Sequence, residues 1–76
     1  MNRINLSQLR IGQEAIIESV EDQDIYLKLL DLGCLPGEKV KLAFVAPLGD
    51  PIAIQVSGSI LSLRKEDAKS ILILPL

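Results

Sequence analysis

The sequence predicts a mostly β domain: a small five-stranded barrel with one short α-helix inserted after the first strand. Three observations lead there. Apolar and polar residues alternate over short runs, most clearly at Lys39–Val45 and Ile52–Val56, and glycine or proline stands at nearly every corner between runs. Only one segment, residues 25–32, has helical spacing instead. Closing several short strands into a barrel also removes exposed sheet edges better than an open sheet does. On pattern alone, an OB-like barrel and a small α+β sandwich stand as alternatives.

Taken in chain order, Leu6-Ser-Gln-Leu9 followed by Ile11-Gly12 reads as a tight turn, with Ser7 placed to hold a backbone N–H and Gly12 at a permissive corner. Glu14–Val20 is rich in β-branched residues and makes the first strand. The polar run Glu21-Asp-Gln-Asp24 ends it and offers a carboxylate cap to a helix. That helix carries Ile25, Leu29 and Leu32 at the spacing of a buried stripe, and Gly33 stands where a left-handed residue would stop it. Pro36-Gly37 fits the two central positions of a type II turn. Lys39–Val45 then alternates, with Val40, Leu42 and Phe44 on one face, and the loop at residues 46–51 closes a hairpin onto Ile52, Ile54 and Val56. Gly58 turns the chain into a strand at residues 59–64, residues 65–70 form a polar helical turn, and residues 71–74 make a closing strand.

The chain of 76 residues has room for one domain, 1–76, and a domain so short buries only roughly 60% of the surface its unfolded form exposes. Apolar residues make up 49% and aromatic ones 3%, so the core must be built from Leu, Ile, Val and Ala. So high an apolar content in so small a domain leaves apolar side chains over for a partner. The net charge of −2 lacks the basic footprint of a nucleic-acid binder or an anionic-membrane binder. An RNA-binding barrel would also want exposed aromatic residues, and the chain has one Phe and one Tyr. Its single cysteine, Cys34, suits a reducing cytoplasm, and neither an apolar leader nor a membrane-spanning stretch is apparent.

An enzyme would need a nucleophile, an acid–base pair or a metal set, and the chain has no histidine and one cysteine. No cofactor, catalytic residue or metal site is expected. Glu21, Asp22 and Asp24 could touch a divalent ion through oxygen, but without nitrogen or sulfur ligands such a site is weak and unselective, and the plainer reading is a capping loop. Cys34 reads as a small residue beside a turn, and Asp50 as a turn residue. Arg64 invites comparison with an arginine finger, and its plainer role is to solvate a strand end.

Three stretches in register carry a family resemblance: Leu29-Leu-Asp-Leu-Gly-Cys-Leu-Pro-Gly37, Ala46-Pro-Leu-Gly-Asp-Pro-Ile52 and Leu61-Ser-Leu-Arg-Lys-Glu-Asp-Ala68. From about residue 6 to residue 73 the chain resembles the ferrous iron transport protein A (FeoA) family. The resemblance implies an SH3-like barrel, similar to the C-terminal domain of metal-dependent repressors of the diphtheria toxin repressor type. It also implies a cytoplasmic accessory of the large membrane transporter for ferrous iron, whose cytosolic part holds a GTPase domain. A regulatory domain acting in trans on a metal-dependent repressor, or a GTPase-activating partner of the transporter, are the alternative implications.

Family members tend to be more polar or basic where this chain has Ile25-Tyr-Leu27 and Ala43-Phe-Val45, which favours an apolar contact. Tyr26, Leu27 and Leu30 exceed what one helix face can bury, and Phe44 and Val45 point to opposite faces of their strand. The expected contact surface is therefore Tyr26, Leu27 and Leu30 with Phe44, Val45 and Leu48, covered by a partner protein or by a second copy in a weak homo-oligomer.

Overall fold

Strands appear wherever alternation predicted them, with one addition at the start of the chain. The structure is a computed structural model and describes residues 4–76. Its elements are β1 (Ile4–Asn5), a 3-10 turn (Leu6–Gln8), β2 (Glu14–Val20), α1 (Gln23–Asp31), β3 (Lys39–Val45), β4 (Ile52–Val56), β5 (Ser59–Leu63), α2 (Lys65–Ala68) and β6 (Ile71–Pro75). They build one antiparallel sheet in the order β1-β6-β2-β3-β4-β5, so the strands among the described residues number six where five were expected. The extra strand is β1, two residues that pair with Ile73 and Leu72 of β6. The edge strands β1 and β5 are followed by the 3-10 turn and by α2, and those two pieces pack on each other, which draws the ends of the sheet together.

One aliphatic core fills the curl of the sheet. Ala15, Ile17, Val40, Leu42, Ile52, Ile54, Val56, Leu63, Ile71 and Ile73 enter it from the strands, and Leu6, Leu9, Leu29, Cys34 and Ala68 close it from the helices and connecting pieces. Among the described residues no polar or charged side chain is buried. The start of the chain is held by Asn5, not by Ser7 as expected: the Asn5 side chain accepts from the Ser7 N–H at 3.0 Å and from the Ser7 hydroxyl. Gln8 Oε1 returns the bond by accepting the Asn5 N–H at 2.9 Å, which makes a capping box two residues ahead of the predicted place.

Two bulges reset the alternation. In β2 the register shifts between Ile17 and Ser19, so the inward face passes from Ala15 and Ile17 to Val20. In β3 it shifts between Leu42 and Phe44, so Val40 and Leu42 point inward, Phe44 is exposed, and Val45 packs against the core. Strict alternation placed Phe44 with Val40 and Leu42. The extra residue Ala43 overturns that, because one inserted residue turns every later side chain to the other face.

Candidate docking surface

Helix α1 presents two unlike faces. Asp22 caps it, with Oδ1 accepting the Ile25 N–H at 3.1 Å, and Asp24 adds a second carboxylate in the first turn, where the helix dipole favours it. The helix ends in a pair of bonds typical of a glycine stop: Gly33 N–H to the Leu30 carbonyl at 3.1 Å and Cys34 N–H to the Leu29 carbonyl at 2.9 Å, with Gly33 at φ 78°. This closure carries Cys34 back onto Leu29, and both are buried. Leu32, expected in the buried stripe, is instead the C-cap residue and is exposed, because the helix stops at Asp31 before Leu32 can face the core.

With Leu29 buried and Ile25 packed against the core, the far side of the helix leaves Leu27 and Leu30 uncovered, with the exposed Asp24 and Asp31 beside them. Leu27 is 51% exposed, Leu30 is exposed beside it, and Tyr26 on the flank is half-buried. Leu32 and Leu35 extend this apolar surface past the end of the helix. Leu35 had no periodic signal to mark it, since it lies in the turn after Gly33.

The second group sits on the β3–β4 hairpin. Phe44 is 54% exposed, Leu48 is 97% exposed at the loop tip, and Val45 is half-buried against the core. The loop is held by its backbone, with the Gly49 N–H on the Ala46 carbonyl at 2.8 Å and the Ala46 N–H on the Pro51 carbonyl at 3.0 Å. Asp50 Oδ1 accepts the Lys65 N–H at 2.9 Å, so its carboxylate ties this loop to the start of α2.

Register decides how the two groups relate. Glu14 pairs with Lys41 and Ile16 with Lys39, so β2 runs past the start of β3 toward α1, while β3 runs the other way toward the hairpin loop. Tyr26, Leu27 and Leu30 are therefore brought together on the helix, and Phe44, Val45 and Leu48 on the hairpin. The two groups leave the β2–β3 ladder from opposite ends.

Elsewhere Ile11, Ile60, Leu74 and Leu76 are exposed singly among polar residues. An open groove of about 360 Å³ is lined by Glu14, Lys39, Lys41, Gln55 and Ser57, and Lys39 Nζ pairs with Glu14 Oε2 at 3.3 Å across it. Arg64 is exposed beside Asp50 and Glu66. Burial pushes the Cys34 thiol up to about 11, with the Glu38 carboxylate adding to the rise, so this side chain is a neutral core residue near pH 7. No helix among the described residues is long and apolar enough to cross a membrane.

Comparison with known proteins gives a consistent result. The FeoA domain family matches residues 4–75. A fusion of Fe(2+) transport protein A with the Fe(2+) transporter FeoB, from Porphyromonas gingivalis, is 35% identical over 69 residues. That match covers 90% of this chain and 8% of the fusion protein, so the chain spans a small part of that relative. The solution structure of FeoA from Chlorobium tepidum superposes with a TM-score of 0.90 at 36% identity, covering 96% of this chain and 70% of that one. FeoA of Stenotrophomonas maltophilia, a prokaryotic SH3 domain protein crystallised with zinc, gives 0.80 at 32% identity over 92% and 88% of the two chains. The repressor IdeR of T. acidophilum shares the fold, with a TM-score of 0.85 at 22% identity, over 35% of its length.

Proposed function

The chain belongs to the FeoA family, and from that premise we propose that it is a cytoplasmic accessory of bacterial ferrous iron uptake that docks onto a FeoB-type transporter and performs no chemistry of its own. The observation that carries the reading is the outer face of α1, where Leu27 and Leu30 stay in water while Leu29, between them in sequence but on the other face, is fully buried. Exposed apolar side chains gathered on one element mark a surface meant to be covered. The Porphyromonas gingivalis fusion supports the identity of the cover, because in that protein the corresponding segment and the transporter are one polypeptide. A partner held at such high effective concentration is one with which it works.

The transporter's membrane part carries the iron, and its cytosolic GTPase domain is the surface on which this chain would act. Docking uses Leu27 and Leu30 with Tyr26 on the helix, and Phe44 and Leu48 on the hairpin, with Val45 supporting Phe44 from the core side. Burying a Leu or Phe side chain in an interface is worth roughly 1.5 to 3 kcal/mol, so losing two weakens binding more than tenfold.

The test is Leu27→Gln combined with Phe44→Gln, verified as folded by circular dichroism, then measured for transporter binding and for growth that depends on ferrous iron. The expected result is loss of both. Charge reversals at Glu21 and Asp24 should change binding little, since exposed ion pairs contribute about 0 to 1 kcal/mol. A folded double variant that binds and supports growth like the parent, with the reversals abolishing both, would replace apolar docking with an electrostatic contact.

A further inference from the structure

The hairpin tip that carries Leu48 takes its shape from its own backbone. The Gly49 N–H donates to the Ala46 carbonyl, which makes a β-turn with Pro47 and Leu48 at the central positions. Proline suits the first of those positions, and glycine, here at φ 89°, suits the residue that leaves the turn. The Ala46 N–H on the Pro51 carbonyl joins the turn to the end of the β3–β4 ladder, where Val45 pairs with Ile52. All these bonds lie within the hairpin, so they fix the form of the tip and not its direction against the barrel.

Direction comes from Asp50. Its Oδ1 accepts the Lys65 N–H at 2.9 Å, and among the described residues this is the side-chain hydrogen bond that ties the loop to another element. The anchor is firm. Lys65 opens α2, which closely follows the buried Leu63, sends Ala68 into the core and packs on the 3-10 turn. Arg64 stands in the capping position of α2 and makes no side-chain bond there, so a carboxylate from the hairpin serves instead.

We infer that Asp50 is a positioning residue for docking, holding the tip so that Leu48, beside Phe44, already stands in the arrangement it has on the transporter. This role rests on the docking assigned to the hairpin above. A loop held in its bound arrangement loses less freedom on association. With the tie cut, only those molecules whose tip is in place can bind, and the apparent affinity falls by that fraction. A merely structural role predicts otherwise, since a variant that stays almost wholly folded binds as the parent does.

Binding kinetics of the full chain on the FeoB-type transporter in lipid nanodiscs, beside melting temperatures, test this. Asp50→Ala should weaken binding roughly three- to tenfold, chiefly through slower association. Asp50→Asn keeps an acceptor oxygen and should bind nearly as the parent does. Asn5→Ala removes a cap of the same kind from the 3-10 turn and should leave binding unchanged at a comparable loss of melting temperature. A parent that does not bind, or Leu48→Gln binding like the parent, removes the hairpin from the docking surface and the inference with it. Leu48→Gln weakened while Asp50→Ala binds at parental strength overturns the inference alone and leaves the docking standing. Equal weakening by Asn5→Ala also overturns it, because binding would then follow stability and not the direction of the tip.

Discussion

Phe44 stands directly across from Ala53 in the β3–β4 ladder, and Ala53 is only 3% exposed although it lies outside the core. Its neighbours Ile52 and Ile54 both enter the core, so Ala53 points to the outer face, where its partner on β5 is the exposed Ser62. Phe44 is the cross-strand residue large enough to shield it. Removing the ring with Phe44→Ala should therefore cost no more than about 1 kcal/mol of stability, the scale of a cross-strand pair. Thermal unfolding should register a small drop, while transporter binding falls much further. A loss as large as that of a core truncation would mean that the ring is structural and not held in reserve for a partner.

The two faces of α1 should separate cleanly under the same substitution. Leu29 is fully buried and closes on Cys34, so Leu29→Ala removes packing and leaves a void, at a cost of about 2 to 5 kcal/mol. Leu27→Ala, on the exposed face, should change stability by no more than about 0.5 kcal/mol. Urea denaturation of both variants measures the contrast, and equal losses would contradict the assigned orientation of the helix.

Asp50 reaches out of its own loop to serve another element. Arg64 precedes α2 without any side-chain capping bond, and the Lys65 N–H at the start of that helix is accepted by Asp50 Oδ1 at 2.9 Å. Asp50→Ala should cost about 1 kcal/mol, as the loss of an N-cap does, lowering the melting temperature by about 4 to 8 °C in a domain of this size. Asp50→Asn keeps an acceptor oxygen and should recover most of that loss.

Ser57 is the described non-glycine residue with positive φ, at 49°, followed by Gly58 at 81°. The two form the tight loop between Val56 and Ser59, in the mirror-image turn that suits the strand twist. Asparagine tolerates that conformation better than serine does. Ser57→Asn should raise stability by about 0.5 kcal/mol, measured by denaturant midpoint, even though it forfeits the exposed bond to Glu38.

What could be read from the residues was whatever depends on local chemistry. Lys39–Val45 and Ile52–Val56 show their period directly, Asp22 is a capping carboxylate ahead of an apolar run, and Gly33, Gly37 and Gly58 all adopt the positive φ that their corners require. What escaped depends on partners distant in the chain. Ile4–Asn5 is a strand only because Ile73 and Leu72 lie beside it, and two residues have no period. The bulges at Glu18 and Ala43 carry no special residue type, so the reversal that exposes Phe44 and turns Val45 inward left no mark in the sequence. On the candidate surface, Leu27 and Leu30 were legible as an excess over one helical face. The exposure of Leu32 and the burial of Cys34 follow from the helix ending at Asp31, a boundary that periodicity places only to within a residue or two.

Cys34 gives the pH dependence a definite sign. Its thiol is buried, and loss of solvation, reinforced by the nearby Glu38 carboxylate, raises it from 9.0 to about 11. The neutral thiol is therefore the form the folded chain accepts, whereas the unfolded chain releases the proton near 9. Below that value both states hold the proton and the contribution to stability is complete. As pH rises from about 9 toward 11 the unfolded state alone becomes charged, and this stability is progressively lost. A shift of one unit corresponds to about 1.4 kcal/mol, so the full loss across the window is on the order of 2 to 3 kcal/mol. Chemical denaturation at a series of pH values should show the decline, and Cys34→Ala should flatten that part of it. The same burial predicts that a thiol reagent at pH 8 labels the native chain slowly and the denatured chain fast. Native and denatured labelling at equal rates would place the thiol in solvent and remove Cys34 from the core.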